Sequence, residues 1–160
     1  MQKINHVYIS GLGAIGALYA SMIHDSNSAV LSVIADRERI TRYDKEGVII
    51  NGRRYNFNYI APGTETTPAD LILIAVKQHN LHESIDAIKK FISRDTIILS
   101  LLNGITSEEI IGKAFGMEKI LHSFVVGTDA VRDGTNVTFK NTGRIVFGAA
   151  GGSSDRKSVV

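Results

Sequence analysis

Apolar residues occur along this chain in short continuous runs, and between the runs they recur every three or four positions. That is the pattern of buried strands alternating with amphipathic helices. Ile4 to Ile9 is the first run, after which Ile15, Leu18, Tyr19, Met22 and Ile23 fall on one helical face. Ala29 to Ala35 (AVLSVIA) is a second strand, reached through the turn cluster Asp25-Ser26-Asn27-Ser28. Strand, helix, strand makes a βαβ unit. Arg37 to Glu46 reads as a short polar helix stopped by Gly47. Val48 to Ile50, the Asn51-Gly52 turn and the alternating Arg53 to Ile60 predict a hairpin inserted between two crossover units.

The loop Ala61 to Asp70 carries both prolines and precedes Leu71 to Val76 (LILIAV), a strand apolar enough to be buried on both faces. Leu81, Ile85, Ile88 and Ile92 mark the next helix, Thr96 to Leu102 the next strand, and Thr106 with Glu109 fits a capping box ahead of another helix. Ile120 to Val126 is a further strand, and Val137 to Phe139 with Arg144 to Phe147 reads as a final antiparallel pair around Asn141-Thr142-Gly143. This order predicts an α/β fold of Rossmann type: a doubly wound, mostly parallel sheet with right-handed crossovers and a small antiparallel extension. Residues 1–150 are expected to form that domain, and 151–160 to combine a flexible linker with the start of a helix leading to a further domain.

Gly11-Leu12-Gly13-Ala14-Ile15-Gly16 falls at the first strand-to-helix turn, where a G-x-G-x-x-G has a mechanism. Gly11 takes the tight turn, Gly13 lets the main chain approach a pyrophosphate, Gly16 lets helix and strand pack closely, and the helix N-terminus favours an anion. Ligands of such sheets bind at the carboxyl ends of the strands. There the sequence places Asp36 and Arg37, Lys77, Asn103-Gly104 and Gly127-Thr128, so five strand ends are expected to meet in one crevice. Asp36 stands about twenty residues beyond the glycines, the distance for a ribose-binding carboxylate, and is equally a good N-cap for the helix at Arg37. Arg37 and Arg39 could instead hold a ribose 2′-phosphate, so Asp36 favours NAD and the arginines NADP. Lys77 either emerges beside a bound cofactor or is a solvated lysine opening a helix. Asn103 has an amide suited to a carboxamide or a substrate oxygen, or it belongs to a plain Asn-Gly turn.

The chain has 160 residues, a formal charge of +2, 44% apolar and 21% charged residues, and no cysteine. Those values describe a globular domain without thiolate chemistry or disulfides. Scattered charges argue against a nucleic-acid partner, and the absence of a long apolar span against a membrane one, so a cytoplasmic location is expected. His79 and His82 read as two surface histidines on a helix end, because a zinc site needs a third ligand.

Taken in order, Gly11 to Gly16, Ala75-Val76-Lys77, Leu102-Asn103-Gly104-Ile105, Gly127-Thr128-Asp129-Ala130, Arg132-Asp133-Gly134 and Gly143 to Gly148 resemble the ketopantoate reductases over residues 3 to about 150. The resemblance implies NADPH-linked reduction of 2-dehydropantoate to pantoate, on the way to pantothenate and coenzyme A. It implies that the glycine loop binds the pyrophosphate, that Lys77 lies at the nicotinamide end, and that Asn103 contacts both cofactor and substrate. It also implies a helical second domain that supplies the general-acid lysine and most substrate contacts, and through which a homodimer could form. This chain departs from the family in carrying Asp36 where many members have an arginine for the 2′-phosphate, which leaves NAD open. The rival readings are a non-catalytic NAD(P)-sensing module and a related 2-oxo acid dehydrogenase.

Overall fold

Alternate residues of the central strands enter different cores, which is why these strands are apolar at nearly every position. A computed structural model describes residues 3–104 and 106–149, together with the backbone of 157–159. The chain runs β1 (His6–Ser10), α1 (Ala14–Ser26), β2 (Val30–Ile34), α2 (Arg37–Glu46), β3 (Val48–Ile50), β4 (Arg53–Tyr55), β5 (Tyr59–Ile60) and β6 (Leu71–Ile74). It continues through α3 (Leu81–Ile88), β7 (Ile97–Ser100), α4 (Thr106–Phe115), β8 (Ile120–Thr128), β9 (Val131–Asp133), β10 (Asn136–Thr138), β11 (Thr142–Gly148) and β12 (Lys157–Val159).

Val7, Ile9, Leu73 and Leu99 pack with Ala17, Leu18 and Ala20 of α1, whereas Tyr8, Ile72, Ile74 and Ile98 pack with Leu81, Ile85 and Ile88 of α3 and Ile111 of α4. The main sheet has the order β12-β11-β8-β7-β6-β1-β2-β5, with β8 through β5 parallel, β11 antiparallel to β8, and β12 antiparallel to β11. This is the doubly wound arrangement expected from the alternating pattern. The order reverses between β1 and β6, and that switch point is where such sheets open a crevice. A second sheet, β4-β3-β10-β9, lies on the α1 side, where Val48, Ile50, Tyr55 and Val137 join the α1 core.

Four local expectations are corrected. The Asn51-Gly52 hairpin forms, with φ of 48° and 80° at its two turn residues, but its return strand ends at Tyr55 instead of running to Ile60. Tyr59 and Ile60 cross to the main sheet and pair in parallel with Val33 and Ile34, covering the outer edge of β2. An aromatic cluster makes the crossing, with Tyr43 stacked on Tyr59 at 5.3 Å and Tyr55 on Phe57 at 5.5 Å. The pair proposed around Asn141 does not exist either. Val137 pairs with Arg132 and Ile50, while Arg144 to Phe147 pair with Val126 to Ser123 of β8. Lys157–Val159 adds an antiparallel strand beside β11 where the start of a helix was expected; residues 151–156 lie outside the described residues. Finally, α4 begins at Thr106 itself, so Thr106 stands within the helix instead of capping it.

Candidate functional site

Each glycine of the loop between β1 and α1 answers a different constraint. Gly11 has φ +101°, and a Cβ there would lie 2.8 Å from the Ala75 carbonyl oxygen and 2.9 Å from Val76 Cγ1. The turn therefore sits directly against the chain leaving β6. A Cβ at Gly16 would fall 1.9 Å from the Gly11 carbonyl oxygen, so the helix closes onto its own entry loop. Gly13 is unlike both: its φ of −69° suits any residue, and its Cβ would meet only the Ala75 oxygen, at 3.8 Å. Nothing in the fold requires a glycine at 13, and the space a side chain would take is left open. The first backbone bond of α1 runs from Ala17 N–H to the Gly13 carbonyl at 2.9 Å, so the N–H groups of Ala14, Ile15 and Gly16 precede it. The helix has neither a side-chain cap nor an acidic residue in its first turn. Open space over Gly13 and uncapped N–H groups fit an anion such as a pyrophosphate.

A cleft of about 620 Å3 lies over this loop, walled by the ends of β1, β2 and β6. Gly11, Leu12, Gly13, Asp36 and Lys77 line it; Ala14, Ile15 and Gly16 form the first turn of α1 behind. Arg37 is exposed and is not among the lining residues, whereas Arg39 and Arg42 are. The reason is helical spacing: positions three apart from Asp36 share its face, and Arg37 is turned about 100° away. Asp36 caps α2, its Oδ1 accepting the Arg39 N–H at 2.8 Å while Oδ2 lies 3.4 Å from Arg39 Nε. Arg39 also approaches Glu83 at 3.9 Å, linking α2 to α3 across the cleft.

Asn103 is exposed beyond β7, and neither it nor Gly127-Thr128, the last two residues of β8, lines the cleft. All five strand ends share one sheet edge, but only three face the switch point. At a strand spacing of about 4.8 Å, β7 and β8 lie roughly 10 and 14 Å from β1. His79 and His82 are both exposed, with His79 at the cleft wall, and the described residues hold no cluster of metal-ligating groups.

Several structured polar residues received no role in the sequence reading. Arg132 lines the cleft from β9. Glu108, not the neighbouring Glu109, is buried, at 2% exposure; its Oε2 accepts the Ser107 hydroxyl at 3.0 Å, and Ser107 in turn meets Ser100 at 2.8 Å. Ser10 meets Ser84 at 2.7 Å, tying the end of β1 to α3. Asp129, from which the sequence yielded nothing, accepts the N–H groups of Lys140 and Asn141, both at 2.9 Å. Those N–H groups, Asn141 foremost, hold its carboxyl below the ordinary value. For Glu108 a usable signal existed: its position brings it onto the Ile111 side of α4, toward the core.

The family model described as "Ketopantoate reductase PanE/ApbA" matches residues 7–152. A 2-dehydropantoate 2-reductase of Streptococcus pyogenes is 29% identical over 125 residues, covering 76% of this chain and 41% of the relative. A second from Pyrococcus horikoshii is 32% identical over 106 residues, covering 64% of this chain and 34% of the relative. Among solved structures, D-mandelate dehydrogenase with NADH and anilino(oxo)acetate superimposes with a TM-score of 0.75 at 27% identity, over 88% of this chain and 47% of that one. The 2-dehydropantoate 2-reductase of Geobacter metallireducens has the same fold, with a TM-score of 0.75 at 22% identity over 90% of this chain and 49% of that one. The chain thus spans less than half the length of these relatives. With a family match over nearly its whole length, this chain belongs to the ketopantoate reductase family.

Proposed function

We propose that residues 1–150 are the dinucleotide-holding domain of an oxidoreductase that reduces the ketone of a 2-oxo acid, with 2-dehydropantoate as substrate and NADPH as donor. The observation that carries the cofactor is Gly13, whose missing side chain serves no need of the fold and leaves the cleft floor open. When bound, the nicotinamide supplies the hydride; this domain positions the ring and excludes water from it. The N–H groups of the glycine loop would meet the pyrophosphate, and Arg39 and Arg42, not Arg37, would meet the adenosine end. Lys77, at the end of β6 beside the switch point, is assigned to the nicotinamide end, and Asn103 to cofactor and substrate.

Proton delivery to the developing alkoxide needs a general acid, which we assign to a lysine of a further domain reached through 151–160, together with any homodimer contact. Relatives more than twice as long support this division. NADH is a second reading, favoured by Asp36: its carboxylate lines the cleft at the end of β2, where a 2′-phosphate would meet its charge.

A calorimetric titration of the chain with NADPH and with NADH tests the cofactor site, and binding of neither at millimolar concentration refutes it. For the whole protein, Lys77→Ala and Asn103→Ala should abolish turnover of 2-dehydropantoate with the fold intact. Unchanged turnover would instead favour a nucleotide-sensing module.

A further inference from the structure

Arg132 stands 120 residues beyond Leu12 in the chain, yet its Nη1 donates to the Leu12 carbonyl, inside the glycine loop. Its Nε donates to the Gly134 carbonyl at 2.7 Å, within the turn that joins β9 to β10. The residue is carried there by the small sheet. Arg132 pairs with Val137, Val137 pairs with Ile50, and Val137 is 1% exposed against the α1 core. The excursion between the two crossover units, with its late partner β10, thus forms a bracket that holds one guanidinium over the loop.

That guanidinium carries an unspent charge. Arg39 has Asp36 and Glu83, and Arg53 has Asp25, but among the described residues no carboxylate lies within ion-pair distance of Arg132. Both acceptors it has found are neutral backbone carbonyls. A guanidinium has five N–H donors in a fixed fork, so two such bonds set its orientation and leave the rest of the fork free. It lines the same cleft as Gly11 and Gly13, whose loop offers N–H groups but no cationic side chain of its own.

We propose that Arg132 is a phosphate-binding residue of the cofactor site: one edge pins the Leu12 carbonyl, and the other meets the pyrophosphate of the dinucleotide. This rests on the dinucleotide reading above. The two bonds to main-chain carbonyls restrain the side chain before the ligand arrives, so little conformational freedom is lost on binding. They also fix the plane of the Leu12–Gly13 peptide, the one next to the open space at Gly13. A charge-assisted bond of this kind corresponds to about 10- to 100-fold in affinity.

The test titrates the chain and its Arg132→Met and Arg132→Lys variants with NADH, NADPH, ADP-ribose and adenosine, with melting curves for each protein. The expected result is a loss of about 10- to 100-fold for both dinucleotides and for ADP-ribose in Arg132→Met, with adenosine unchanged. The salt dependence of ADP-ribose binding should also become shallower, because one cation has left the phosphate. Arg132→Lys keeps the charge but not the fork, and should fall between. ADP-ribose binding equal to wild type in Arg132→Met overturns the proposal, as does an equal loss for adenosine and ADP-ribose, which would mean a collapsed loop. If Arg132→Met melts early, Arg132→Lys decides: weaker ADP-ribose binding at wild-type stability upholds the proposal, and wild-type affinity overturns it. Wild-type protein that binds neither dinucleotide removes the cofactor reading itself, whereas binding that ignores residue 132 removes only this inference.

Discussion

Adding one methyl group at Gly13 and one at Gly16 should separate the demands of the ligand from those of the fold. At Gly16 the new Cβ would lie 1.9 Å from the Gly11 oxygen, 3.0 Å from the Gly11 carbon and 3.2 Å from Ala75 Cβ. An ordinary C···O contact is about 3.3 Å, so backbone must move by more than about 1 Å, with Gly11 itself wedged against the Ala75 carbonyl. Overpacking against main chain costs about 3 kcal/mol, at the upper end for such substitutions. For a chain of this size that lowers Tm by roughly 6–12 °C. At Gly13 the nearest atom is 3.8 Å away and φ is −69°, so Ala is sterically free. The cost there is the weaker N-cap character of Ala, about 1 kcal/mol or less, and a Tm drop of roughly 2–4 °C. Dinucleotide affinity should behave in the opposite sense, Gly13→Ala losing at least about 10-fold while still folded. Differential scanning calorimetry and fluorescence titration of the two variants suffice. Wild-type NADH and NADPH affinity in Gly13→Ala would refute the claim that its open space is ligand space, and a Gly16→Ala protein as stable as wild type would refute the packing argument.

Asp36→Ala should lose about 1 kcal/mol with the α2 cap and shift the ratio of NADPH to NADH affinity upward; an unchanged ratio, measured by titration, would leave Asp36 only its capping role. Glu108→Ala should destabilise the chain by about 2–4 kcal/mol in urea unfolding, because Ser107 loses its buried acceptor, and Glu108→Gln by less. A Glu108→Ala variant with wild-type stability would show that this buried carboxylate is not coupled to the fold. Asp129 titrates below its ordinary value of 3.8, so its contribution is complete above that pH and is lost as pH falls through the lower folded value. An NMR titration should show its carboxyl changing together with the Lys140 and Asn141 amides below pH 3.8, and a midpoint at or above that value contradicts the bonding.

Elements whose partners are near in sequence were legible from pattern alone. The limits of α2, Arg37 to Glu46 with Gly47 after it, follow from a capping aspartate and a stop glycine, both local signals. The two-faced burial of β6 follows from composition, since only a covered parallel strand is apolar at successive positions. The errors fell where a residue's partner lies far along the chain. Nothing near Tyr59 announces that it will pair with Val33, nor does anything near Val137 announce Ile50. Short strands bonded across 26 or more residues are chosen by which edge is left open, and that is known only once the sheet is assembled.

The candidate site divides in the same way. By itself the sequence determined the glycine loop, its place at the first strand-to-helix turn, the alternation of strands and helices, and Asp36 and Lys77 at strand ends. These depend on local backbone chemistry and on period, which the order of residues contains directly. Only the tertiary structure decided that Arg39 and Arg42 face the cleft and Arg37 does not, that Asn103 stands outside it, and that Arg132 reaches Leu12. Those outcomes depend on helix rotation, on distance from the switch point and on a second sheet closed by long-range pairing, and each is fixed by packing between elements instead of within them.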